Sequence, residues 1–163
     1  MPSPRQLSRD LRERSDSDLR RRRWSLGLSL FGVAMGQIVA LFQMGIIKRL
    51  PDPPGPFDST RVDASDYGYK RLQMPDSLLM IGNYAVTAML AGAGGKDRAI
   101  RQPHLPIALA AKAGMDVATN LKLAQEEWAE NKALCAYCQA ATLASLATLV
   151  IALPEAVRAF RRL

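Results

Sequence analysis

Two long stretches without a single charge constrain this chain more than any other feature. Residues 24–47, held between Arg23 and Lys48, are 24 uncharged residues, and residues 133–154 are 22 more. At 1.5 Å of rise per residue the first run makes a helix about 36 Å long, enough to cross a hydrocarbon core of roughly 30 Å. Core helices of soluble proteins rarely run so far without charge, so both runs read as membrane spans. Residues 77–95 form a third uncharged run, 19 residues long. The fourth candidate, residues 105–123, carries Lys112, Asp116 and Lys122. Lys112 and Asp116 stand four apart and can pair on one helix face, which lowers the cost of burying them. The mean hydropathy of −0.05 looks soluble only because the charges are packed between these runs.

The resulting expectation is an all-α integral membrane four-helix bundle with spans 24–47, 77–95, 105–123 and 133–154. A long extracytoplasmic loop joins the first two. The first run is read as a retained span, because its apolar stretch is too long for a cleavable signal and no small-residue cleavage site precedes Lys48-Arg49. Four spans put residues 1–23, the 96–101 loop and the tail 156–163 on one side. That side collects 14 of the 22 Lys and Arg residues. The bias places both termini in the cytoplasm, of a bacterial inner membrane, and residues 48–75 and 124–132 outside. Arg20 to Arg23 serve as a topogenic anchor beside the first span, so no nucleic-acid partner is needed to explain them.

Local signals refine this outline. Residues 1–23 read as a mobile tail or a surface helix. Gly32 and Gly36 have the spacing that lets two helices approach closely. Four prolines within residues 51–57 exclude regular structure there, and residues 59–70 suit a short surface helix. Pro75-Asp76-Ser77 reads as a helix start, Gly92, Gly94 and Gly95 as its end, and Pro103 and Pro106 as the next start. Pro154 lies near the end of the fourth span.

One constellation carries chemistry. Cys135-Ala136-Tyr137-Cys138 is a CxxC at the start of the fourth span, and these are the chain's two cysteines. Thiols three residues apart can close a disulfide across one helical turn, and a helix N-terminus favours thiolate. Topology puts the pair at the outer, oxidising surface. A zinc site needs about four ligands, and His104 falls on the opposite side, so no metal is expected. A static disulfide, or two small apolar residues, is the plainer reading of the same pair. Asp76 should lie level with the CxxC, as a helix cap or as a contact to a polar ligand. Asn83, two turns deeper, and Thr142, one turn below Cys138, suit helix–helix hydrogen bonds or ligand contacts.

This arrangement of four spans, a long outer loop after the first and CxxC at the outer end of the fourth resembles the vitamin K epoxide reductase family over about residues 24–155. Met74-Pro75-Asp76-Ser77-Leu78-Leu79 resembles the family's second-helix entry, where Asn usually stands in place of Asp76. The resemblance implies electron exchange between thiols and a membrane quinone of ubiquinone or menaquinone type. Cys138 would be the quinone-facing cysteine, Cys135 its disulfide partner and the thiol exposed to exchange, and Asp76 a contact to a quinone oxygen. Two departures stand out. Residues 48–75 contain no relay cysteines, and the family's tyrosine four residues after the CxxC is Thr142. The missing relay implies a separate thiol-containing extracytoplasmic redox protein as partner, beside membrane lipid and quinone. The competing readings are a catalytically reduced member acting as a ligand-binding or assembly subunit, and a soluble helical regulator with a basic tail.

Overall fold

The computed structural model describes residues 3–162; residues 1, 2 and 163, which belong to the two expected tails, lie outside the described residues. Seven α-helices and one 3-10 turn follow in order. They are α1 (Pro4–Glu13), α2 (Ser17–Gln43), α3 (Ser59–Ala64) with the 3-10 turn Asp66–Gly68, α4 (Asp76–Gly92), α5 (Arg98–Arg101), α6 (His104–Asn131) and α7 (Ala136–Phe160). Among the described residues extended pairing is limited to one isolated bridge between Phe57 and Leu134. The four long helices pack side by side, α2 against α4 and α7, and α6 against α7 and α4.

Their faces are inverted relative to a soluble protein. On α7 the buried positions besides Glu155 are Ala141, Ala144, Ser145, Thr148, Ala152, Ala156 and Ala159, whereas Leu143, Leu146, Val150, Leu153 and Val157 point outward. Trp24, Leu30, Phe31 and Leu41 of α2 and Val86 and Met89 of α4 are exposed as well. Small residues inside and large apolar ones outside are what helices need when lipid is the solvent, because packing rather than the hydrophobic effect holds them together. Two helices, Ser17–Gln43 and Ala136–Phe160, are long and apolar enough to cross a membrane.

The Gly32/Gly36 spacing does the job expected of it. A Cβ on Gly32 would sit 2.5 Å from the Tyr84 ring, and one on Gly36 would sit 2.9 Å from Ile81. The absence of side chains there sets how closely α2 and α4 cross. Lys112 and Asp116 form the expected pair, at 2.6 Å.

Several boundaries differ from the sequence reading. α2 begins at Ser17, before the arginine run, and stops at Gln43, where Gly45 takes a left-handed φ of +77° and turns the chain back. The residues expected as a loop at 124–132 are the last turns of α6. Pro154 sits inside α7, which runs on to Phe160, so residues 156–160 are helix rather than tail. The segment expected as a surface helix at 59–70 is instead partly buried, with Ser59, Val62, Asp63 and Tyr67 all turned inward.

Charged side chains close the end of the bundle that carries both termini. Arg22, 4% exposed, is one of the four consecutive arginines. Its Nε donates to the Ala91 carbonyl, its Nη2 to Gly92, Ala93 and Gly94, and its Nη1 to Gly95, all at 2.9–3.0 Å. It thus satisfies the orphan carbonyls and the negative end of α4. Arg98 makes a two-pronged pair with Glu155 of α7, both bonds 2.8 Å, and also donates to Leu90 and Ala93 carbonyls of the α4 end. Asp18 meets Arg158 across the same end. These arginines are internal ties between the helices.

The α2–α4 contact gives a direct test. Gly32→Leu should lower stability by about 2 kcal/mol or more through overpacking against Tyr84. Gly27→Ala, where a Cβ meets nothing within 4 Å, should be neutral. Thermal unfolding of both in the same detergent reads the difference, and equal melting temperatures would refute the packing role.

Candidate functional site

The far end of the bundle holds the CxxC under a cap made from residues 50–68. The cap is tied to the start of α7 by backbone bonds from Leu134 N to the Pro56 carbonyl (2.9 Å) and from Asp58 N to the Leu134 carbonyl (3.1 Å). The Tyr137 hydroxyl donates to the Pro51 carbonyl at 2.9 Å. Ser59 is the central latch. Its N–H and hydroxyl both donate to Asp52, and its Oγ accepts the Ala136 N–H at 2.8 Å.

Three of the free N–H groups that begin α7 find acceptors here. Ala136 N goes to Ser59, Cys135 N to Glu127 Oε2 (3.2 Å), and Cys138 N to Cys135 Sγ (3.3 Å). Cys135 is therefore the N-cap residue, with its sulfur accepting the helix-end N–H, as the CxxC at a helix start implies. Its expected exposure is not found. Cys135 is 0% exposed, because Leu50, Val62 and Tyr67 of the cap pack around it with Val39 and Ala133. Cys138 is half-buried.

Cys138 faces a cavity of about 410 Å³ between the long helices. Asp76, Asn83 and Thr142 line the same cavity, together with Tyr84, Met80 and Met115. Three side chains picked from the sequence thus meet Cys138 in one space, while Cys135 stands behind it. Asp76 is not the N-cap of α4. Pro75 holds that position with extended backbone, and Asp76 is the first helical residue, accepting from Gln43 Nε2 at 2.9 Å. The same Gln43 amide accepts from the Ser77 hydroxyl at 2.6 Å and does the capping from α2. Asn83 is engaged by the buried pair, receiving Lys112 Nζ at 3.0 Å and donating to Asp116 at 3.2 Å. Thr142 Oγ1 donates back to the Cys138 carbonyl at 2.8 Å. Asn83 and Thr142 therefore make local or interhelical bonds and still line the cavity.

The sequence reading overlooked Gln43, Glu127 and above all Asp63. Asp63 lies on α3, 1% exposed, and neither carboxylate oxygen has a hydrogen-bond partner. A carboxylate oxygen of Asp63 and the sulfurs of Cys135 and Cys138 all lie within 4.8 Å of one another. Nothing marked this residue among the neighbouring acids of residues 48–75, since its burial depends on how the cap docks. His104 begins α6 at the opposite end, as expected. Asp63 adds a third possible donor beside the two sulfurs, a different set from the one weighed in the sequence, and one short of the four that zinc takes.

Burial pushes the Asp63 carboxyl up from 3.8 to about 8, opposed by the Cys135 thiol and reinforced by Asp76, Glu127 and Asp52. Burial likewise carries Glu127 up to about 7, opposed by the Cys135 N–H. Both carboxyls hold protons in the folded chain at pH values where the unfolded chain has lost them. Stability must therefore fall as pH rises from about 4 towards 8. Asp63→Asn should remove part of that slope. Its melting temperature relative to wild type should climb from pH 5 to pH 8, and a constant offset would show that Asp63 is ionised throughout.

The latch is also testable. Ser59→Ala leaves the Ala136 N–H and one oxygen of Asp52 without their partner, which costs about 1–3 kcal/mol. Alkylation of Cys135 should become faster in a Cys138→Ser background, and an unchanged rate would mean that the cap is held by its other ties.

A family model described as the vitamin K epoxide reductase family matches residues 23–153. Searches of curated proteins and of solved structures gave no match.

Proposed function

The chain belongs to the vitamin K epoxide reductase family, whose members are membrane-embedded oxidoreductases, and on that premise we propose that it is a thiol/disulfide oxidoreductase exchanging electrons between Cys135–Cys138 and a membrane quinone. The observation that carries this reading is the cavity shared by Cys138, Asp76, Asn83 and Thr142. Its lining is mostly apolar with a few convergent polar groups, and its volume lies in the range of small-molecule sites. It suits the head group of a ubiquinone- or menaquinone-type molecule.

When bound, the quinone supplies a two-electron, two-proton acceptor. The protein's part is position. α7 presents Cys138 to the cavity and keeps Cys135 one turn away, within reach for a disulfide. Asp76, Asn83 and Thr142 offer polar contacts on the facing walls, with Asp76 held by Gln43 and Asn83 by the Lys112–Asp116 pair. All four long helices cross a bacterial inner membrane in this reading, with the termini cytoplasmic and the cap outside. Arg22 to Glu155 form the cytoplasmic closure. Because no loop cysteine exists, the exchange partner is a separate extracytoplasmic thiol protein, which must displace the cap or enter beside it.

The complete burial of Cys135 favours a second reading, in which the chain keeps the fold as a ligand-binding or assembly subunit with little turnover. Purified protein reduced at both thiols separates the two. Oxidation by a short-chain ubiquinone or menaquinone should form the Cys135–Cys138 disulfide within catalytic times. Asp76→Ala should slow that oxidation by about tenfold, more than its loss of stability explains. Quinone binding without any oxidation would support the subunit reading. Topology has its own check: single cysteines at Ser15 and Asp58, in a chain lacking Cys135 and Cys138, should differ in labelling by an impermeant reagent on spheroplasts.

A further inference from the structure

Among the described residues, Asp63 is the one buried acid whose carboxylate oxygens have no hydrogen-bond partner. It lies on the short helix α3, inside the cap, with both oxygens buried and unpartnered. Leaving such a group without a hydrogen bond is costly, and most buried polar groups avoid it. No basic residue pairs with it among the described contacts. The polar groups that face it are the sulfurs of Cys135 and Cys138 on α7, within 4.8 Å. Around them stand Glu127 of α6, Asp76 of α4 and Asp52 of the cap, all acids. The Gln43 amide of α2 reaches the Asp63 backbone carbonyl at 3.2 Å, not its carboxyl. An acid placed beside two thiols, with no other partner, is positioned to trade protons with them.

We propose that Asp63 is the proton carrier of the thiol pair, delivering a proton to the Cys135 sulfur when the disulfide opens and receiving it back when the disulfide closes. In the opening direction an incoming thiolate bonds to the Cys138 sulfur and the Cys135–Cys138 bond breaks. Cys135 sulfur leaves with the bonding electron pair and takes the proton from the Asp63 carboxyl. The products are a mixed disulfide at Cys138, a Cys135 thiol and an Asp63 carboxylate, which solvent then reprotonates. Closing is the reverse, with the carboxylate accepting the Cys135 proton as that sulfur attacks. The assignment of sulfurs follows their exposure, since Cys138 borders the cavity and Cys135 is enclosed. A carboxyl raised by burial to about 8 holds its proton near neutrality and can still release it. The proposal rests on the redox reading of the pair, and it adds the residue through which that pair exchanges protons.

The test follows reduction of the Cys135–Cys138 disulfide by dithiothreitol in full-length protein, from pH 6 to pH 9, for wild type and Asp63→Asn. Taking the ratio of the two rates removes the reagent's own titration. The wild type should be faster by on the order of 100-fold at pH 6–7, and the ratio should shrink above about pH 8 as the acid ionises. A ratio near one at every pH overturns the proposal, and so does a ratio that is large but independent of pH, which would mark Asp63 as merely structural. Asp63→Ala serves in the same assay if the Asn variant does not fold; loss of the unpartnered acid should leave it at least as stable as wild type. Failure of the redox reading looks different. Exchange with dithiothreitol but no oxidation by a quinone overturns that reading and leaves Asp63 to be judged by the ratio, while a wild-type disulfide that does not exchange at all overturns both.

Discussion

The guanidinium of Arg22, closing the end of α4, is the interaction on which the rest of the molecule is built. A helix that ends in an apolar setting leaves carbonyls with no water to accept from. Here one side chain meets five successive carbonyls, from Ala91 to Gly95. The neighbouring Arg98 reaches the same helix end and pairs with Glu155 of α7. Burying these charges is tolerable because each cation is hydrogen-bonded around its fork and the one buried anion is bound at both oxygens. The consequence is geometric. α2, α4 and α7 are joined at one end, and the crossing at Gly32 and Gly36 sets their spacing further along. The opposite ends, where the CxxC and the cavity lie, are held in register by that closure.

At the functional end the same demand is met differently. α7 begins with N–H groups that need acceptors, and each acceptor comes from a separate part of the chain: Ser59 from the cap, Glu127 from α6, and the Cys135 sulfur from the helix itself. Satisfying the helix start therefore docks the cap, and docking the cap encloses Cys135. One set of hydrogen bonds sets both the stability of this end and the accessibility of its thiol. The cap contains no cysteine, and ordinary hydrogen bonds latch it to α7.

The acids at this end carry the electrostatic cost. Burial raises both Asp63 and Glu127, and the nearby Glu127 further disfavours the charge of Asp63. Such sites are where proton chemistry is most often found. The Lys112–Asp116 pair, deeper in the bundle, shows the contrasting solution, an acid neutralised by its own helix and stitched to Asn83.

Much of this was legible in the sequence, for reasons that are local. Uncharged runs set helix lengths, Gly92 and Gly94 ended one helix and Pro103 opened another, and a CxxC after a chain turn had to begin a helix. The Gly32/Gly36 spacing and the Lys112/Asp116 spacing both depend only on helical periodicity. Counting turns placed Asp76 level with Cys138 and Asn83 and Thr142 one to two turns deeper; that they line one cavity is a matter of how the helices pack. What needed the tertiary structure was every contact between distant segments. Counting charges cannot tell Arg22 from Arg20, because only packing shows which arginine faces the end of α4. Counting acids cannot tell Asp63 from Asp58 or Asp66, because burial is decided by how the cap turns over α7. The sequence by itself determined the four long helices in outline, their order and the thiol pair; the tertiary structure alone decided that Cys135 is enclosed and that an unpartnered carboxyl shares its enclosure, since both follow from contacts between residues more than 70 positions apart.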